Sequence, residues 1–248
     1  MVVIAIIGVL AGLLLPALAS AKSKAHATYC RNNLRQIGIG LLNYAQDNGA
    51  YPFFERLAGV SEPNGAKWFD DIVPELPKGW GKGIFRCPTY TGAVSGYSSP
   101  VNYRNHTSLG SYAYNIGTAN EAGSYSHYGL AKMSFRSLFE PVTTAVHESE
   151  VRSPSEMIAV GDSFSRSYRS SASSSRITYG MDSLSRKNGM SAIFFWDSEL
   201  LHHRGMAHIT FADGHVEGNS LTNLFFNLNE KWLRRWHTDN EPHTELFQ

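Results

Sequence analysis

The one constellation with metal-ligand character is a cluster in the C-terminal part of the chain: Asp162, His202, His203, His208, Asp213 and His215. Imidazole nitrogens and carboxylate oxygens together suit a divalent cation, and Asp162, His203 and Asp213 are the candidate ligands at a sheet edge. The same residues admit a plainer use, in which His203 hydrogen-bonds a hairpin backbone or Asp213, and Asp213 supports its own turn. His147-Glu148 lacks the second histidine four residues on that a zinc-protease helix requires. No catalytic residue and no cofactor other than this possible metal is assigned.

Short strands must position these groups. Met157, Ile158, Ala159 and Val160 form an apolar run bounded by turn signals, which predicts a strand inside a sheet, ended by Asp162. Ile209-Thr210-Phe211-Ala212 and His215-Val216-Glu217 flank Asp213-Gly214, a pair that favours a tight hairpin turn. A brief strand is expected at 111–115 within the Gly-, Ser-, Asn- and Tyr-rich stretch 95–128. Residues 51–83 are loop-rich, with Pro52, Pro63, Pro74 and Pro77 too closely spaced for long helices. Within them Trp68, Phe69, Ile72 and Val73 predict a short amphipathic element. The serine-rich stretch 163–175 is too polar to hold core and reads as a mobile loop. Beyond Ser220, Trp232, Leu233 and Trp236 belong to short helices or an arm, and serve either a subunit contact or the core.

The front of the chain dictates the architecture. From residue 1 to 21 the only non-apolar side chain is Ser20, and at the helical rise this run reaches about 30 Å, the hydrocarbon thickness of a bilayer. Lys22, Lys24, His26, Arg31 and Arg35 follow, yet Cys30, Leu34, Ile37, Leu41 and Tyr44 keep one stripe greasy. No stop appears before Asp47-Asn48-Gly49, so one rod of about 70 Å is expected, half in lipid and half in water. Pro16 would free the Gly12 carbonyl and predicts a kink or a melted turn. Gly8 and Gly12 form a small-xxx-small pair that lets a second helix approach. A cleavable secretory signal ending at Ala19-Ser20-Ala21 is the other reading, opposed by the missing basic region and by the unbroken periodicity beyond it.

The rest of the composition fits one head on this stalk: 248 residues, a net charge of +1 and few charged side chains. A near-neutral chain lacks the basic face that nucleic-acid binding requires. The predicted division is a transmembrane half-helix at 1–21, an amphipathic soluble half at 22–48, an α+β head at 49–220 and a C-terminal arm at 221–248.

The run Val2-Val3-Ile4-Ala5-Ile6-Ile7-Gly8-Val9-Leu10-Ala11, then Pro16-Ala17-Leu18, and the block from Cys30-Arg31-Asn32-Asn33-Leu34-Arg35-Gln36-Ile37-Gly38 to Tyr44-Ala45-Gln46-Asp47, resemble the N-terminal helix of type IV pilin-like proteins. The likeness is to the prepilin-like branch with a downstream His-(nine residues)-Asp-Gly signature, here His203 and Asp213-Gly214. Phe85-Arg86-Cys87-Pro88, Ser111-Tyr112-Ala113-Tyr114-Asn115 and the block from Pro154 to Asp162 also fit it. The resemblance implies a pilin-like α+β fold, with a long helix packed on a small antiparallel sheet carrying long loops. It implies a non-enzymatic structural subunit of a type IV pilus-like or type II secretion pseudopilus filament, assembling through Gly8, Gly12, Pro16 and the apolar run around them. Its implied partners are copies of itself, the inner membrane and an assembly machinery, with the head outside the cytoplasm, even though positive charges after a span ordinarily stay inside. Relatives carry a basic leader, a cleavage site and Phe-Thr-Leu-Ile-Glu ahead of the apolar run. None precedes Val2, so the expected start lies upstream of Met1, and cleavage and methylation are assigned to no residue here.

Two other classes compete. One is a membrane-tethered extracytoplasmic binding domain that never polymerises. The other is a hydrolase, since Gly161-Asp162-Ser163-Phe164-Ser165 after an apolar strand resembles the nucleophile block of GDS-type esterases, although no Asp-x-x-His pair lies in the C-terminal part. In an exported protein the even cysteine count invites a Cys30–Cys87 bridge from stalk to head; two buried thiols packing as small hydrophobes are the alternative.

Overall fold

The computed structural model describes residues 2–53, 68–72, 82–90, 111–115, 128–130, 132–137, 140–162, 203, 205–220, 223–224, 227 and 229–244. The serine-rich stretch 163–175, Ser163, Val73, His202 and most of 95–128 lie outside them.

Helix α1 spans Val2–Asn48 without interruption, 47 residues in all. It stops where the turn cluster predicts, because Gly49 takes a φ of +69° that ends a helix and that β-carbon-bearing residues resist. The melted turn predicted at Pro16 is absent: the helix runs through it, since a proline removes one rung of the ladder while neighbouring rungs persist. The predicted amphipathic element is α2, Trp68–Asp71, with Trp68 and Phe69 buried.

Four antiparallel strands form the main sheet in the order β1-β4-β5-β6: β1 Tyr112–Tyr114, β4 Ile158–Asp162, β5 Met206–Phe211 and β6 Val216–Ser220. The central strand β4 is buried along its whole length, as an apolar run without polar alternation demands. β5 and β6 make the Asp213-Gly214 hairpin, pairing from Met206 opposite Ser220 to Thr210 opposite Val216. A separate hairpin, β2 Lys132–Ser137 with β3 Glu140–Thr144, was not anticipated from the sequence.

The sheet is the middle of three layers. On its inner face Cys30, Leu34, Ile37, Leu41 and Ala45 of the stalk pack with Trp68, Phe85, Tyr112, Tyr114, Met157 and Ala159. On its outer face Ala113, Ile158, Ile209 and Phe211 pack with Leu224 and Trp236. A bulge between Ile158 and Val160 lets Ala159 and Val160 both serve the stalk side. The third layer is the C-terminal segment, with α3 at Glu230–Leu233 and a 3-10 turn at Arg234–Trp236. Trp236 therefore completes the core, and Arg235 ties the layer down. Its guanidinium bonds both Glu217 oxygens at 2.9 and 3.0 Å and Glu156 at 2.8 Å, and lies over Phe211 and Trp232. Burial alone would raise the Glu217 carboxyl, but hydrogen bonds from Arg235 and Asn219 outweigh it and hold it down to about 2.

Candidate functional site: a bare half-helix and its clamp

The two halves of α1 have opposite surroundings. Leu34 and Ile37 are 0% exposed, whereas Ile4 and Leu13 are 73% and 72% exposed. The apolar window near the N-terminus is long and apolar enough to cross a membrane, and none of it is buried against the other described residues. Among the described residues nothing lies within 4 Å of where a β-carbon on Gly8 or Gly12 would stand, so both are open to an approaching partner. An uncovered apolar surface of this extent demands lipid or protein around it.

The other half is clamped to the head at three levels. Cys30 and Cys87 form a disulfide with Cα atoms 5.2 Å apart. One turn on, buried Asn33 donates its amide to the Arg86 carbonyl at 3.0 Å and to the Tyr112 hydroxyl at 3.2 Å, joining helix, loop and β1. Next, Gly38 meets the hairpin turn so closely that a β-carbon there would stand 2.6 Å from Thr210 Oγ1 and 3.1 Å from the Gly214 Cα. Gly214 has a φ of +83°, and a β-carbon on it would stand 2.8 Å from Leu42 Cδ1. Only glycine suits either side of that crossing.

The signature residues thus have separate places. Gly214 packs on the stalk. Asp213 is half-exposed in the turn, where its carboxylate accepts from the His215 backbone N–H at 3.1 Å and pairs with the His215 ring. The His203 side chain is buried, with its Nε2 3.5 Å from Cys87 Sγ and 3.6 Å from Asp162 Oδ2. The candidate metal set Asp162, His203 and Asp213 is therefore not gathered at one point: the first two meet, while the turn geometry keeps Asp213 with His215. Among the described residues the one cluster of three ligand-type side chains is Cys30, Cys87 and His203, with ligand atoms all within 4.8 Å of one another.

Asp162 and His208 complete this buried polar pocket. Burial pushes the Asp162 carboxyl up to about 7, opposed in part by the His208 backbone N–H that donates to it at 2.8 Å. Burial, then Arg31, pushes the His208 ring down to about 4. The two act on stability with opposite signs. Between 3.8 and about 7 folding takes up a proton at Asp162, so its contribution falls as pH rises. Between about 4 and 6.5 folding releases one from His208, so its contribution rises. Asp162→Asn keeps the acceptor for the His208 N–H and removes the first effect. Thermal melts of the variant should then gain stability from pH 4 to 6.5 more steeply than the natural protein, by up to about 1.4 kcal/mol per unit; parallel curves would contradict this.

Sequence reasoning missed Asn33, Thr210 and the role of Gly38. The signal for the last was readable, because a glycine inside a solvent-exposed helix costs about 1 kcal/mol against alanine and so marks a close approach. Tertiary contacts with segments distant in sequence gave the other two no local sign.

Residues 19–85 match the family described as "Protein of unknown function (DUF1559)". No curated protein and no solved structure matches the chain. The matched segment covers the lower stalk and the start of the head, and with the bare apolar half-helix above it the chain fits a pilin-like, membrane-anchored build.

Proposed function

We propose that this protein is a non-enzymatic subunit of a type IV pilus-like or type II secretion pseudopilus filament. The observation that carries the reading is the contrast within one unbroken helix: its trailing half is locked to the head by three contacts, while its leading half presents only apolar side chains and two open glycines. A rigid clamp has a use when force or position must pass from the leading half to the head. A simple tether needs no such stiffness.

In this mechanism the leading half rests in the inner membrane with the head on the extracytoplasmic side. An assembly machinery then draws subunits out, and lipid contacts are exchanged for contacts between helices. Lipid is as apolar as leucine, so packing at small residues and not hydrophobicity must drive the exchange. Gly8 and Gly12 supply that close approach. The test is to express the chain with a pilus export system and image the sheared surface fraction. Fibres containing this protein are expected; protein that stays dispersed in the membrane favours the tethered binding domain.

A further inference from the structure

We propose that the reduced chain holds a zinc ion between Cys30, Cys87, His203 and Asp162, so that the same two cysteines clamp stalk to head through a metal when reduced and through a disulfide when oxidised.

Two thiolates, an imidazole and a carboxylate are a donor set that zinc favours, in tetrahedral array. The spacing already suits three of the four, since the ligand atoms of Cys30, Cys87 and His203 all lie within 4.8 Å of one another, and Asp162 stands beside His203 as the fourth. Two ligands on one tetrahedral zinc stand about 3.5 Å apart for sulfur and nitrogen and about 3.3 Å for nitrogen and oxygen. Cys87 Sγ lies 3.5 Å from His203 Nε2, and Asp162 Oδ2 lies 3.6 Å from the same nitrogen. Once the S–S bond is broken the sulfurs need about 3.8 Å between them, which rotation about the Cα–Cβ bonds supplies with Cα atoms 5.2 Å apart.

The surroundings are those of a structural metal centre. Cys30 and Cys87 are 0% and 1% exposed, and the side chains of His203 and Asp162 are 2% and 1% exposed. The four come from the stalk, the 82–90 segment, the end of β4 and the entry to β5, so an ion would cross-link elements distant in sequence. A disulfide by itself needs neither an imidazole nor a carboxylate beside it. Asp162 Oδ1 has no hydrogen-bond partner among the described residues, nor has either ring nitrogen of His208, which lies 4.5 Å from the His203 ring.

The interconversion balances. A dithiol reductant cleaves the Cys30–Cys87 bond, is itself oxidised to a disulfide and leaves two thiols, whose two protons pass to solvent as zinc binds. In the reverse direction a disulfide oxidant takes the electron pair, forms two thiols with two protons from solvent, and the re-formed bridge expels zinc.

The experiment uses the full chain in detergent, oxidised or reduced with a phosphine under inert gas, stripped by a chelator and titrated with cobalt(II), then zinc. One cobalt per reduced chain is expected, with the intense visible absorption of a tetrahedral site and an ultraviolet thiolate charge-transfer band, both removed by zinc. The oxidised chain should show neither. His203→Ala, its folding verified with the disulfide intact, should bind about tenfold or more weakly after reduction, and Asp162→Asn should keep the charge-transfer band while shifting the visible bands. The proposal is overturned if the reduced chain gives no charge-transfer band, if His203→Ala binds as the natural protein does, or if the reduced chain unfolds and an equivalent of zinc does not refold it.

Discussion

Replacing Cys87 by serine is expected to lower the folding stability of the oxidised, metal-free protein by about 4 kcal/mol in the chain-entropy account of cross-links. The bridge closes a loop with a sequence separation of 57, long enough that freeing it returns much conformational freedom to the unfolded chain. The serine hydroxyl would also be buried where a sulfur now packs, adding to the loss. For a chain of this size each kcal/mol moves the melting temperature by about 2–4 °C, so a fall of about 10 °C should be visible by circular dichroism in detergent. Cys30→Ser should do the same, and the double variant little more, because two residues acting through one bond are not additive. A fall under about 1 kcal/mol, or losses that add, would mean that the folded protein in solution carries no such bridge.

Gly12→Leu should leave the single chain intact and abolish its assembly. Among the described residues nothing lies within 4 Å of a β-carbon at that position, so the described parts of head, clamp and helix have no contact there to lose. Exchanging glycine for leucine favours the helix by a few tenths of a kcal/mol to about 1 kcal/mol and makes the span more apolar, so membrane insertion should hold. Between subunits the effect reverses. An isobutyl group where two helices approach through small residues costs about 1–3 kcal/mol per contact, and every subunit of a fibre carries the defect. Fibre yield in the sheared fraction should fall at least tenfold, with carbonate-resistant membrane protein unchanged. Equal fibre yields would show that this face of the helix is not the assembly face.

Periodicity made the long elements readable. The stalk needed only its apolar stripe and its turn cluster, and Gly49 ends it at the expected place. β4 and the Asp213-Gly214 hairpin were equally legible, because an apolar run and a turn pair are local signals. The β2–β3 hairpin was overlooked although Met133 and Phe135 alternate with Ser134 and Arg136. Pro141 in the second strand and the short lengths hide that alternation.

The candidate site was only half legible, for a different reason. Asp162 and His203 of the candidate set do meet, but the other group beside His203 is Cys87, 116 positions earlier in the chain. Spacing along the chain cannot report that convergence. Asp213 was misplaced because a residue opening a tight turn is committed to its own backbone, here the N–H of His215. Trp232 and Trp236 could serve a subunit contact or the core by composition alone. The deciding feature is Arg235 between them, held by Glu217 and Glu156 and stacked over Phe211.

Cryo-electron microscopy of fibres sheared from cells that express this chain with a pilus export system, at a resolution that separates helices, tests the central claim directly. The density is expected to show residues 2–19 of many copies bundled along the fibre axis, with Gly8 and Gly12 at their crossings and the heads outward. Fibres joined through their heads with the apolar halves in lipid or detergent, or no fibres of this protein at all, would contradict it.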